Sequence, residues 1–332
     1  MSGTRQLNLV AALGLWASAC LAATFYASWQ GYGGRRFAVT LCVFALLFAA
    51  EILVAARGVQ ESVATFFSTR SPLSLAIVLA SLLFIAYLVY ALGTSTFLWQ
   101  RAGIAAACTF VPPLLLASAG QRKPGVWQDY AAAAALWLPW KIHWLHGLWP
   151  YPQERLGYVL AVLLAMNVGV AAFLFVRRLD GVGYSIAWGR GWGVAVAVSF
   201  VLFALIAIPL GQVIHFVRFD PAYSHLKTLP VTALGIFFFT AWPEEFLFRG
   251  LLQNLFSRTF SNAEVGWLVA SVIFGLAHIT NYGVFPNWRY VILATIAGVF
   301  YGRAWRRTGS IFASALVHTL VNTTWHFFFR TL

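Results

Sequence analysis

The stretch Leu229-Pro-Val-Thr-Ala-Leu-Gly-Ile-Phe-Phe-Phe-Thr-Ala-Trp-Pro-Glu-Glu-Phe-Leu-Phe-Arg-Gly250 is long and apolar enough to enter a bilayer, yet it carries two adjacent carboxylates, Glu244 and Glu245. About 20 helical residues cross a membrane core of about 30 Å, and a lone charge there costs several kcal/mol unless it is paired or solvated. Such a pair needs a physical reason. Of the other acidic residues, Glu61, Asp129, Glu154, Asp180, Asp220 and Glu264 read as segment ends or loops, and Glu51 lies near the end of its own segment. On this reading only Glu244 and Glu245 lie deep.

The surrounding chain is a membrane protein by composition, with 61% hydrophobic and 9% charged residues and a mean hydropathy of +0.78. Apolar runs recur at roughly 9–29, 37–57, 73–93, 102–118, 127–147, 156–176, 191–212, 229–257, 265–281, 290–302 and 310–329. The expected fold is therefore an all-α polytopic membrane protein of about eleven transmembrane or re-entrant helices, the shorter runs 102–118 and 290–302 being candidates for re-entrant or tilted segments. A Gly-containing basic loop, Gly181 to Trp192, divides the chain into residues 1–185, a helical region of unassigned role, and residues 186–332, where the candidate chemistry concentrates.

The net charge of +13 comes from 22 Lys and Arg scattered singly or in pairs between apolar runs, which fits lipid headgroups and not nucleic acid. Basic residues around Arg57/Arg70, Arg122/Lys123, Arg177/Arg178/Arg190, Arg258 and Arg303/Arg306/Arg307 place those loops, and the N-terminus with Arg5, in the cytoplasm; Arg35 and Arg36 oppose this. The expected location is the plasma (inner) membrane of a prokaryote. Cys20, Cys42 and Cys108 lie apart in apolar runs and form neither a disulfide framework nor a metal site. Trp16-Ala-Ser-Ala-Cys20 loosely resembles a lipoprotein cleavage box, but the apolar run continues to Trp29 and reads as an uncleaved span. Between Trp137 and Tyr151, His143 and His146 are three residues apart, in a segment whose aromatics and Lys141 read as an interfacial belt.

Within the C-terminal part, Arg249 stands four residues beyond Glu245, on the same helical face, and the two can pair, whereas Glu244 is rotated by about 100° and left for another task. Pro243 removes a backbone donor, which predicts a kink or restart just before the glutamates. His278 in Phe274-Gly-Leu-Ala-His278 and the pair His318 and Asn322, four apart, supply the remaining deep hydrogen-bonding groups. At about 1.5 Å per residue, Glu244, His278, His318 and Asn322 fall in one layer, about 15–21 Å from the ends near residues 258, 264 and 308. The layer is predicted to line a wet cavity that opens toward Arg258 and Arg303, with a lateral gap for a membrane-tethered substrate.

Polar glue between helices is one reading of these residues. Two carboxylates side by side favour another, because like charges resist joint ionisation while Arg249 holds one of them charged, leaving the other as a base. The Glu-Glu-x-x-x-Arg of Glu244, Glu245 and Arg249, the Phe-x-x-x-His of Phe274 and His278, and the His-x-x-x-Asn of His318 and Asn322 resemble the three motifs of the CPBP intramembrane proteases, which include type II CAAX prenyl endopeptidases and bacteriocin-processing proteins. The resemblance covers roughly residues 190–330. It implies hydrolysis of a peptide bond in a membrane-associated protein or peptide, lipidated or carrying a C-terminal sorting segment, without a cofactor. Glu244 would be the general base, His278 its partner on the water, His318 and Asn322 the oxyanion donors, and Glu245 with Arg249 the support that orients Glu244. Alternatives are a zinc protease with His278 and His318 as ligands, a non-catalytic immunity or scaffold protein, and a transporter.

Overall fold

Hydrophobic runs become helices along almost the whole chain, which is 77% helical. The computed structural model describes residues 2–145 and 147–332, without the side chains of residues 2–7, 154 and 155. The spacing of His143 to His146 therefore lies outside the described residues.

The described residues divide into two compact units. The first, Met1–Asp180 with Ser185–Ala187, contains α1 (Ser2–Trp29), α2 (Gly34–Ala55), α3 (Arg57–Phe66), α4 (Pro72–Gly93), α5 (Trp99–Ala119), α6 (Trp127–Lys141) and α7 (Glu154–Val170), the last continuing as π-helix over Ala171–Val176. Run 102–118 is thus the body of the 21-residue helix α5. Local chemistry marks the helix ends: Pro72 opens α4, and the Ser71 hydroxyl accepts from the Ser74 amide at 3.1 Å.

Two acidic residues in this unit differ from the sequence reading. Asp129 and Glu51 are both fully buried. Arg177 Nε meets Asp129 Oδ1 at 2.5 Å and Arg177 Nη2 meets Oδ2 at 3.2 Å, while the amides of Gly125 and Val126 donate to Oδ2 at 2.7 and 3.1 Å. A carboxylate at a helix start is thus drawn inside by a bidentate arginine and two backbone donors. Linear position alone did not reveal that partner, 48 residues away.

The second unit, Gly181–Tyr184 with Trp188–Leu332, holds α8 (Trp192–Val213), β1 (Val217–Phe219) and a 3-10 turn over Tyr223–Thr228. A continuous helical segment follows, made of α9 (Leu229–Ile236), a π-turn (Phe237–Ala241), α10 (Trp242–Glu245), a longer π-turn (Phe246–Gln253) and α11 (Asn254–Thr259). Then come α12 (Ala263–Leu276), α13 (Trp288–Thr308), α14 (Ile311–Phe328) and β2 (Phe329–Thr331), which pairs antiparallel with β1. Among the described residues seven helices are long and apolar enough to cross a membrane. Runs 127–147, 265–281, 290–302 and 310–329 contribute α6, α12, α13 and α14, which are shorter or more polar. Run 290–302 is the centre of the 21-residue α13.

Pro243 does not break its segment. Backbone angles stay helical from Ile236 to Asn254, and widened π-turns on both sides of α10 absorb the missing donor. Side-chain caps start the next helices: Asn262 Oδ1 accepts from the amides of Glu264 and Val265, Asn287 Oδ1 from Tyr290, and Ser310 Oγ from Phe312. Glycine sets the closeness of α12 and α13. A Cβ on Gly298 would lie 3.0 Å from the Ser271 Cα, and one on Gly302 would lie 2.6 Å from the Gln253 amide oxygen. Gly298 and Gly302, four apart on one face, let two backbones approach as small residues do between membrane helices.

Gly298→Leu should lower the unfolding midpoint in detergent, at a cost of about 1–3 kcal/mol or more, because the obstacle is backbone that cannot swing aside. Gly235→Ala, whose new Cβ meets nothing within 4 Å, should leave the midpoint unchanged.

Candidate active site

Glu245 is the chemical centre of the second unit. It sits at the end of α10, fully buried. Three side chains compensate it. Arg249 Nε donates to Oε2 at 2.9 Å, Ser314 Oγ approaches the same oxygen at 2.5 Å, and His318 Nδ1 meets Oε1 at 2.9 Å. Arg249 is equally buried, with its guanidinium carbon 5.1 Å from the Phe274 ring centre and 5.9 Å from that of Tyr301. Electron-rich ring faces are favourable surroundings for that cation. The sequence-predicted Glu245–Arg249 pair is present.

One residue earlier, Glu244 turns away from this network, as helical rotation requires. Its side chain is 35% exposed, its Oε2 makes no hydrogen bond among the described residues, and that oxygen lies 3.9 Å from His318 Nε2. The exposed side meets a cavity of about 340 Å³. His278, His318 and Asn322 line the same cavity, so the predicted layer of four side chains shares one space. This volume falls within the range typical of small-ligand sites.

Hydrogen bonds fix which nitrogen each imidazole presents. His278 Nδ1 lies 2.8 Å from the Phe274 carbonyl oxygen, which can only accept, so Nδ1 carries the proton and Nε2 keeps its lone pair when the ring is neutral. His318 Nδ1 donates to the Glu245 carboxylate by the same logic. Its ring stacks on Tyr301, with centres 4.5 Å apart and planes 18° from parallel. The Glu245 carboxylate thus reaches His318 directly.

The cavity runs away from Arg258 and Arg303. Its lining continues through Tyr290 and Trp325 to Asn281, Tyr282 and His326, at the opposite ends of α12, α13 and α14. The sequence-based direction is therefore corrected. Loop charge led it astray, because charge totals carry no information on where helices leave room; Arg303 instead donates to the Ser199 hydroxyl at 2.9 Å. On one side of the cavity stand Ile236 and Thr240, in a stretch that packs on α14; on the other stand His278, Asn281 and Tyr282, which follow α12. α12 packs instead on Phe246–Gln253 and on α11.

Residues 225–324, which contain all six candidate residues, match the family model described as type II CAAX prenyl endopeptidase Rce1-like. This segment belongs to the CPBP family. No curated protein and no solved structure matches the chain. The family model's description implies a protease. Among the described residues, no group of three or more His, Cys, Asp or Glu is arranged to hold a metal ion. Ser314, Tyr301, Tyr290, Asn281 and Trp325 were not singled out from sequence. Ser314 carried a usable signal, since it stands four residues before His318 on the same helical face.

Arg249→Leu should destabilise the protein by about 3–5 kcal/mol, since it leaves Glu245 buried without its cation. Ser314→Ala should cost about 1.5–3 kcal/mol, the scale of a hydrogen bond to a charged group. Chemical unfolding of both variants in the same detergent checks the ranking.

Proposed function

We propose that this protein is an intramembrane endopeptidase of glutamic type, with Glu244 as general base. The observation that carries the reading is the division of the carboxylate pair: Glu245 is buried and compensated, while Glu244 opens on a cavity shared with two imidazoles and an amide. A carboxylate whose side chain is 35% exposed beside a cavity of that size is suited to take a proton from water.

The steps follow from the donor and acceptor inventory. Glu244 accepts a proton from a water molecule while His278 Nε2 accepts the water's other hydrogen bond and aims it. The water oxygen attacks the peptide carbonyl carbon, and negative charge moves to the carbonyl oxygen. Asn322 stabilises that oxyanion with its amide N–H. His318, held through Nδ1 by the Glu245 carboxylate, adds a second donor when Nε2 also carries a proton. Protonated Glu244 then gives its proton to the leaving nitrogen as the C–N bond breaks.

The substrate is a membrane-associated protein or peptide. Its proposed access route lies between the Ile236–Thr240 stretch and the turn after α12, both of which line the cavity. The family's description as prenyl endopeptidases makes a lipidated C-terminal segment the first substrate class to try. The protein resides in the plasma membrane of a prokaryote.

Comparative peptide mapping of membranes with the wild-type chain and with Glu244→Gln should reveal products made only by the former, with both proteins equally folded and inserted. Asn322→Ala and His318→Ala should lower turnover by about 10²-fold each. Full cleavage by Glu244→Gln, or loss of activity to a chelator restored by zinc, would contradict the assignment.

A further inference from the structure

We propose that Tyr290 is a positioning residue that holds the His278 imidazole with Nε2 toward Glu244, an inference that rests on the role given to His278 above. His278 lies two residues past the end of α12, in a turn, and regular helical geometry no longer fixes it there. Two rings pack on its imidazole with centres 4.8 Å away: Phe274, from the preceding turn of its own helix, and Tyr290, from the first turn of α13. The Phe274 carbonyl sets the tautomer through Nδ1, and the two rings bracket the imidazole.

Tyr290 holds the turn at two points. While its ring meets the imidazole, its hydroxyl hydrogen-bonds the Asn281 side chain, three residues after His278. Asn281 in turn donates its amide to the His278 carbonyl at 3.0 Å, and its own carbonyl accepts from Asn287 Nδ2 at 3.2 Å. Nor can Tyr290 retreat easily, because Phe216 and Trp325 pack behind it with ring centres at 5.4 and 6.1 Å. The ring of α13 is thereby coupled to a histidine of the loop that α12 leads into. Since a misplacement of about 1 Å can cost about 10²-fold in rate, such a clamp has a kinetic consequence.

The direct test is nitrogen-15 NMR of the histidine-labelled full chain in detergent, with the His278 signals assigned by their loss in His278→Ala. Wild type should show a protonated Nδ1 and an unprotonated Nε2 as separate resonances. Tyr290→Leu should move both toward an averaged position, and Tyr290→Phe, which keeps the ring, should stay close to wild type. An unchanged His278 spectrum in Tyr290→Leu would overturn the proposal; Tyr290→Met serves the same purpose if the leucine variant fails to fold. With a membrane protein found by peptide mapping as substrate, Tyr290→Leu should lower kcat by about 10-fold or more with little change in KM, and Tyr290→Phe by only a few-fold. Combined with His278→Ala it should add no further loss. An added loss would mean that Tyr290 acts on its own, which overturns the positioning role. If His278→Ala alone left turnover unchanged, the assignment of His278 would fall while the NMR result still judged the clamp.

Discussion

A carboxylate buried among membrane helices must be compensated where it stands, and Glu245 is compensated from two directions. Arg249 comes from its own segment; Ser314 and His318 come from α14. Each partner lost leaves a charge or a dipole without solvent to replace it, so the network specifies how the two helices lie against each other. Because one carboxylate oxygen faces Arg249 and Ser314 and the other faces His318, the arrangement also fixes the imidazole's direction. His318 Nε2 is left pointing toward Glu244 and the cavity.

From that constraint the division between neighbours follows. Adjacent helical residues point about 100° apart, so the same turn that buries Glu245 presents Glu244 to the open side. Around them the chain supplies a stiff frame: Arg249 lies over Phe274 and Tyr301, His318 stacks on Tyr301, and glycines bring α12 and α13 together. The π-turns on both sides of α10 belong to the same frame, since widened turns re-aim side chains without interrupting the helix. Glu244 lies between those widened turns.

Much of this frame was legible in the chain because polar residues in an apolar background are conspicuous. Glu244, Glu245, Arg249, His278, His318 and Asn322 stood out one by one, and rise per residue placed four of them at one depth. What the chain concealed was of two kinds. Partners that resemble ordinary packing, such as Ser314 or Tyr290, gain meaning only when the helices meet. Direction was the other: loop arginines suggested an opening toward Arg258, whereas α9 and the turn after α12 leave space at the opposite end. Asp129 illustrates the same limit, since its place near a helix start concealed the bond to Arg177.

The most direct test of the divided carboxylate pair is solvent access. In a chain freed of Cys20, Cys42 and Cys108, a single cysteine at position 244 or 245 can be challenged with a charged, water-soluble thiol reagent in sealed vesicles. The account predicts that Glu244→Cys is labelled from the side that bears Tyr282 and His326, while Glu245→Cys in folded protein resists. Equal labelling of the two positions, or labelling of Glu244→Cys only from the side that bears Arg258, would contradict it.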